Sequence, residues 1–234
     1  MKNYTFFKGN IVDAQVDAIV LPANPELKEG RGTSEAIFEA AGRRQLTKAC
    51  NKIGHCDLGF SVPTLGYNLN AKYIIHTVAP RWIDGEHNEY DLLATAYASA
   101  IELAEVMECS SIAFPLLSAG NNGYEIKLAV EIAIKSIEQY ACKCLQSIMI
   151  VLHDQQAIEM VEKKGHEVSL LVRNLDKDIE ALEKKKKRDE VLQKAKEVAA
   201  EQLKAGLEWI AVKENRDKLI SFGQMVWKIV QTIK

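Results

Sequence analysis

Two glycine-containing loops hold the residues whose types and spacing could do chemistry. Their members are Gly30, Arg31, Gly32, Thr33 and Ser34 in the first loop, and Ser118, Ala119, Gly120, Asn121, Asn122 and Gly123 in the second. Each loop follows an apolar segment and precedes a segment with helical spacing. The first turn of a helix presents unpaired N–H groups and about half a positive charge, and glycine lets the backbone approach a ligand closely. Either loop alone could be a simple turn, but two of them at one sheet edge predict a cradle for a diphosphate.

The elements that must position these loops alternate between strands and helices. Aromatic, β-branched and apolar runs predict strands at residues 4–7, 18–21, 60–62, 73–78, 111–116 and 147–152. Helical spacing predicts helices at residues 34–51, 89–107, 126–140 and 155–164, the first of them capped by Thr33 or Ser34. This alternation predicts an α/β fold whose sheet is covered on both faces.

The composition changes near residue 174, which divides the chain into two predicted domains, residues 1–173 and 174–234. Residues 176–205 are rich in Glu, Lys, Ala, Leu and Gln, which favour helices, so we expect an α-helical C-terminal extension. An apolar stripe within residues 218–233 needs a partner, which could be another helix of the extension, the first domain or another chain. The extension is therefore a candidate surface for a protein partner or for self-association.

Bulk properties exclude several classes of partner. The formal net charge of -2 does not favour nucleic acid, and we interpret the basic run at residues 184–188 as the solvated face of a helix because acidic residues flank it. No apolar run reaches the roughly 20 residues of a membrane span. The N-terminal segment reads as the start of a strand rather than as a signal peptide.

The cysteines indicate a reducing compartment. There are five, an odd number without the spacing of a disulfide scaffold, so we expect free thiols in a cytoplasmic protein. A zinc site built from Cys142, Cys144 and His153, or from His55 and Cys56, is the alternative, but the spacing matches no common tetrahedral pattern. We therefore expect no metal.

The order of motifs resembles that of macro domains. The resemblance spans roughly residues 3–165 and is carried by residues 9–11, 16–24, 30–37, 40–42, 64–67, 75–80 and 111–124. It implies a three-layer α/β/α fold with a central mixed sheet, and ADP-ribose as the ligand in a cleft at one sheet edge, with no further cofactor. It does not cover residues 174–234.

The resemblance also implies roles for individual residues. Asn10 stands where the family usually has an aspartate that accepts a hydrogen bond from the adenine amino group, and Ile11 would line the adenine pocket. Asn24 matches the asparagine that contacts the distal ribose. The two loops, residues 30–34 and 118–123, match the two phosphate loops. Tyr124 could border the distal ribose or serve in packing.

Three departures from the family pattern bear on catalysis. In the MacroD-type hydrolases a first-loop carboxylate helps to activate water, and here that position is Ser34, which cannot act in the same way. Arg31 replaces a glycine, and Asn122 replaces the aromatic residue that commonly packs on the distal ribose. Glu35 could substitute for the lost carboxylate if the loop register shifts, and Asn24 with Glu35 would then be the catalytic pair.

The sequence is compatible with three functions. The first is a binding module for ADP-ribose, a related nucleotide or an ADP-ribosylated protein. The second is a hydrolase that removes ADP-ribose from protein or cleaves an O-acyl ester of it. The third is an interaction protein with a degenerate pocket and a helical tail. His76, in the middle of an apolar strand, is expected to be a hydrogen-bonded core histidine rather than a catalyst.

Overall fold

In a computed structural model, residues 4–171 of the chain are described, and they form seven strands and five helices. In chain order these are β1 (Tyr4–Lys8), β2 (Ala18–Pro22), α1 (Thr33–Ala41), α2 (Arg43–Ile53), β3 (Ser61–Leu65), β4 (Tyr73–Thr77), α3 (Glu89–Val106), β5 (Ser111–Pro115), α4 (Ile126–Gln139), β6 (Ser147–Leu152), α5 (Gln155–Lys163) and β7 (Val168–Leu170). A single 3₁₀ turn, Ile11–Asp13, follows β1. The predicted helical extension, residues 174–234, lies outside the described residues.

The strands form one mixed sheet in the order β3-β4-β2-β5-β6-β1-β7. The edge strand β3 pairs antiparallel with β4, whereas the other neighbouring strands pair in parallel. Strand β2 lies between β4 and β5. Because the carboxyl ends of parallel strands share one edge of a sheet, the segments after β2, β4 and β5 leave side by side.

The sheet separates two layers of helices. Ala18 and Val20 of β2 pack into a core shared with α3, α4 and α5, while Ile19 and Leu21 pack into a second core shared with α1 and α2. Successive residues of a strand point to opposite faces, which explains why a continuous apolar run serves both cores. The predicted three-layer α/β/α fold is confirmed.

The prediction of one helix over residues 34–51 was wrong. Gly42, with φ 99° and ψ 93°, separates α1 from α2, and this backbone conformation is open to glycine but strained for other residues. A Cβ at Gly42 would also lie 3.0 Å from the Asn68 side-chain nitrogen. The predicted cap was wrong as well, because the N-cap of α1 is Gly32, which makes no side-chain hydrogen bond.

Two strands also differ from expectation. β3 begins one residue later than predicted and continues to Leu65, through Pro63, which an edge strand tolerates. β7 was missed; it has three residues, is only partly buried, and pairs with β1. Such a short strand carries little sequence signal. The other predicted elements are confirmed to within one residue at each end.

Among residues 4–171, no helix is long and apolar enough to cross a membrane. The five cysteines are free, and Cys50, Cys56 and Cys109 are buried. Within the same residues, the potential metal ligands that come within 4.8 Å of one another are those of Asp84, His87 and Glu89, not those of Cys142, Cys144 and His153.

Candidate functional site

A cleft of about 400 Å³ opens at the sheet edge where β2, β4 and β5 end. It brings the two glycine loops together at one sheet edge, because the strands that precede them, β2 and β5, are neighbours in the sheet. Ten of its lining residues were candidates from the sequence: Asn24, Gly30, Arg31, Gly32, Thr33, Ser34, Ser118, Gly120, Asn121 and Asn122. Six others had not been singled out: Pro22, Ala23, Ala79, Arg81, Pro115 and Leu116.

The first loop leaves the N-terminus of α1 without a side-chain cap. Gly32, with φ 67° and ψ -123°, is the N-cap residue and has no side chain to offer. The Ser34 hydroxyl accepts a hydrogen bond from the Gly30 N–H at 3.0 Å, so it closes the loop instead of capping the helix. The first N–H groups of α1 therefore remain suited to an anion bound in the cleft.

Asn24 holds the start of the same loop. Its side-chain nitrogen donates to the Lys28 carbonyl at 2.8 Å, and its side-chain oxygen accepts from the Lys28 N–H at 2.9 Å. An asparagine amide has two N–H donors and an oxygen with two lone pairs, so each end keeps capacity for a ligand hydroxyl. Asn24 lines the cleft, where the resemblance implied a contact with the distal ribose.

The second loop is fixed to the segment that follows β4. Ser118, with a left-handed φ of 64°, donates from its hydroxyl to the Pro80 carbonyl at 2.8 Å. The Asn122 side chain donates to the Ala79 carbonyl at 3.2 Å, and the Asn122 carbonyl accepts from the Trp82 N–H at 2.8 Å. Three hydrogen bonds thus hold two walls of the cleft at a fixed separation.

The charged side chains that line the cleft are positive. Arg31 and Arg81 line it, and none of the described residues around it is an aspartate or glutamate. Both arginines are exposed, so each guanidinium can reach a phosphate oxygen without a large desolvation penalty. Arg81 was not among the residues predicted from the sequence. It follows β4, which ends at the same sheet edge as β2, so its position after a predicted strand could have indicated it.

Several predicted site residues lie outside this cleft. Asn10 is exposed and caps the 3₁₀ turn, accepting from the Val12 N–H at 3.3 Å, and Ile11 is buried in the core beside α1 and α2. Ala119 and Gly123 belong to the second loop but do not line the cleft.

Glu35, the candidate replacement for the missing carboxylate, also lies outside the cleft. Its side chain is 56% exposed, and its carboxylate oxygen is 3.9 Å from the guanidinium of Arg43. Arg43 itself pairs more closely with Glu29, at 2.9 Å. The Glu35 carboxylate therefore belongs to a surface group of charges at the junction of α1 and α2.

Tyr124 has a packing role. It is buried, its ring lies edge-on against Trp82 at 5.2 Å, and its hydroxyl donates to the Glu89 carbonyl at 2.6 Å. Burial, together with the nearby charge of Glu89, raises its pKa. Of the two alternatives left by the sequence, the contacts of Tyr124 favour packing.

A buried carboxylate organises the loop before α3. Glu89 accepts hydrogen bonds from the backbone N–H groups of four loop residues, at 2.7 to 3.2 Å: Ile83, Asp84, Gly85 and His87. Burial alone would raise the pKa of Glu89, but hydrogen bonds from its own backbone N–H and from those of Gly85, Asp84 and His87 lower it to about 2. Its oxygens are thus already used, which argues against a cation between Glu89 and its neighbours Asp84 and His87.

His76 is a core residue. It is fully buried on β4, and its Nε2 lies 2.9 Å from the Thr64 hydroxyl and 4.0 Å from the Cys50 sulfur. Burial lowers its pKa to about 4, so it is neutral in the folded protein near pH 7. The prediction of a hydrogen-bonded core histidine is confirmed.

Comparison with known proteins places this site in a family. The sequence model described as "Macro domain" matches residues 20–133. A macro domain-containing protein of Listeria monocytogenes is 41% identical over 167 residues, which are 68% of this chain and 94% of that protein. The O-acetyl-ADP-ribose deacetylase of Escherichia fergusonii is 40% identical over 155 residues, which are 64% of this chain and 87% of the enzyme.

Solved structures agree with the sequence comparison. The Oceanobacillus iheyensis macrodomain with ADP has a TM-score of 0.62 and 34% identity, over 67% of this chain and 86% of that one. The Trypanosoma brucei macrodomain in complex with ADP-ribose has a TM-score of 0.62 and 30% identity, over 70% of this chain and 69% of that one. With these relatives, the strand order and the cleft between two glycine loops show that this chain belongs to the macro domain family.

Proposed function

We propose that the chain binds ADP-ribose, either free or attached to a modified protein, in the cleft between the two loops. The observation that carries this proposal is the uncapped N-terminus of α1, which faces a cleft that holds Arg31 and Arg81 and, among residues 4–171, no lining carboxylate. A diphosphate needs N–H donors and positive charge, and this arrangement offers both. The ADP and ADP-ribose bound in macrodomain relatives support the same ligand class.

Titration with ADP-ribose by calorimetry tests the proposal. We expect a micromolar dissociation constant, about -8 kcal/mol. Arg31→Ala should weaken binding because it removes a phosphate contact, whereas Arg44→Ala, an exposed arginine on α2 outside the cleft, should leave binding unchanged. Absence of binding at millimolar ADP-ribose would overturn the proposal.

Hydrolysis of an ADP-ribosyl ester is the second candidate function. It is favoured by the 40% identity to a protein named O-acetyl-ADP-ribose deacetylase. In such a reaction Asn24 would position the distal ribose, and substrate phosphates would help to orient water. Glu35 is the proposed carboxylate, although it would have to leave Arg43 and turn toward the cleft.

Acetate release from O-acetyl-ADP-ribose separates binding from hydrolysis. If Asn24 and Glu35 form the catalytic pair, Asn24→Ala and Glu35→Gln should each lower the rate while the chain stays folded. If the chain only binds, release should match the rate without protein. Ser34→Asp should then raise the rate, because it introduces a carboxylate at the position where the hydrolases of this family carry one.

The cellular setting is also a proposal. Five free cysteines favour a reducing compartment, for which the cytoplasm is our assignment. We further propose that residues 174–234 contact a protein partner or a second copy of the chain rather than the ligand. Deletion of these residues should leave the affinity for ADP-ribose unchanged, and a loss of binding in the folded fragment would contradict this division of labour.

A further inference from the structure

A second cavity, of about 540 Å³, lies beside the ligand cleft. The two share five lining residues: Ala23, Asn24, Ala79, Arg81 and Asn122. Asn24 is the residue assigned to the distal ribose, so the second cavity begins where that sugar would end. Its position makes it accessible to a group attached to the distal ribose.

The walls of this cavity are mainly aliphatic. Leu58, Ile83 and Leu92 line it, and Leu58 and Ile83 remain 43% and 63% exposed, respectively. Large exposed aliphatic side chains at a cavity mouth mark a surface that gains from being covered by an apolar group.

Three polar side chains in the same walls, those of His87, Glu89 and Asn122, already have partners in the protein. The Asn122 side chain donates a hydrogen bond to the Ala79 carbonyl, and the Glu89 carboxylate accepts hydrogen bonds from four backbone N–H groups. His87 lies 2.9 Å from an Asp84 carboxylate oxygen. A peptide backbone lying against this part of the wall would lose hydrogen bonds to water and find few replacements, whereas a hydrocarbon chain has none to lose.

We propose that this second cavity, here named the acyl pocket, holds an aliphatic acyl group carried on the distal ribose, and that Leu58 and Ile83 make the protein prefer chains longer than acetyl. This inference rests on the proposed binding of ADP-ribose. An acetyl group would fill only a small part of the volume, so added methylenes have apolar wall to cover. Each should tighten binding by about fourfold.

The test compares acyl-ADP-ribose analogues whose acyl group is joined to the distal ribose through an amide, so that no hydrolysis occurs. Dissociation constants are measured by calorimetry for ADP-ribose and for its acetyl, butanoyl and hexanoyl derivatives. From acetyl to butanoyl, a difference of two methylenes, we expect binding to tighten by about sixteenfold. Equal affinities for the three derivatives would overturn the acyl pocket and leave ADP-ribose binding intact.

Variants connect the effect to the pocket. In the double variant Leu58→Asn/Ile83→Asn the preference for longer chains should vanish, while the affinity for ADP-ribose itself should change less than twofold. Leu65→Asn is the matched control, because Leu65 is 59% exposed on β3 and lines neither cavity. Retention of the preference in the double variant would refute the proposal.

An ADP-ribosylated peptide tests the alternative that the cavity receives a peptide. If the peptide binds more tightly than every acyl analogue and loses that advantage in the double variant, the cavity receives peptide and the acyl assignment is wrong. If ADP-ribose itself fails to bind, the proposed function fails first. The two failures are therefore distinguishable in one set of titrations.

Discussion

Replacement of Gly32 by alanine tests whether the backbone of the first loop, rather than its side chains, forms the ligand site. A Cβ built on Gly32 meets nothing within 4 Å, so steric conflict with neighbours is not the issue. The conflict is internal, because φ 67° with ψ -123° is a conformation that residues with a Cβ rarely adopt. Such strain costs about 1–3 kcal/mol.

This strain can lower either the stability of the protein or its affinity for ADP-ribose. If α1 keeps its start, the free energy of unfolding falls by about 1–3 kcal/mol, and the melting temperature falls by about 2–4 °C for each kcal/mol. If the loop relaxes instead, its N–H groups turn from the cleft, and ADP-ribose binding weakens by about tenfold for each 1.4 kcal/mol. Chemical denaturation and calorimetric titration of the same variant measure both effects.

Gly120→Ala is the control. Gly120 lies in the second loop, lines the same cleft, also has open space around a Cβ and does not have a positive φ. Its replacement should change stability by no more than about 0.5 kcal/mol. If Gly32→Ala changes neither stability nor affinity, or if the two variants behave alike, the argument from backbone conformation is refuted.

The remaining predictions concern charge and pH. Arg81→Ala should weaken ADP-ribose binding by about tenfold, with a smaller difference at high salt because exposed charges are screened; an unchanged affinity at low salt would remove Arg81 from the site. Burial lowers the pKa of His76 to about 4, so the free energy of unfolding should fall as pH drops from 6.5 toward 4, because the unfolded chain takes up the proton first. In His76→Phe, chemical denaturation at several pH values should show a smaller fall over that range. Hydrogen bonds from Ser110 and Lys72 lower the pKa of Asp17 to about 2, so the free energy of unfolding should fall as pH drops from about 4 toward 2. In Asp17→Asn, chemical denaturation should show that this part of the fall is absent.

The sequence predicted most of the sheet because its strands are continuous apolar runs. Strand β6 matched its prediction at both ends, and helices α3 to α5 matched within one residue. The break at Gly42 was missed because apolar and small positions continue at helical spacing on both sides of it. The kink arises from one backbone conformation that the hydrophobic pattern does not reveal.

The candidate site was predictable in part for a similar reason. Loop membership follows from position in the chain, and both glycine loops do line the cleft. The direction of individual side chains does not follow from position. The Ser34 side chain points to Gly30 within its own loop, and that of Glu35 lies near Arg43 at the surface. Arg81 joined the site only through the pairing of β4 with β2.

The loop before α3 affects where an anion from solution can bind. Backbone N–H groups that converge on one point form a receptor for negative charge, and the loop from Ile83 to His87 is such a receptor, filled by the carboxylate of Glu89. Being part of the same chain, that carboxylate competes at a high effective concentration that free phosphate in solution does not match. We therefore expect the phosphates of a nucleotide to bind at the N–H groups that begin α1, which no side chain caps, rather than at this loop.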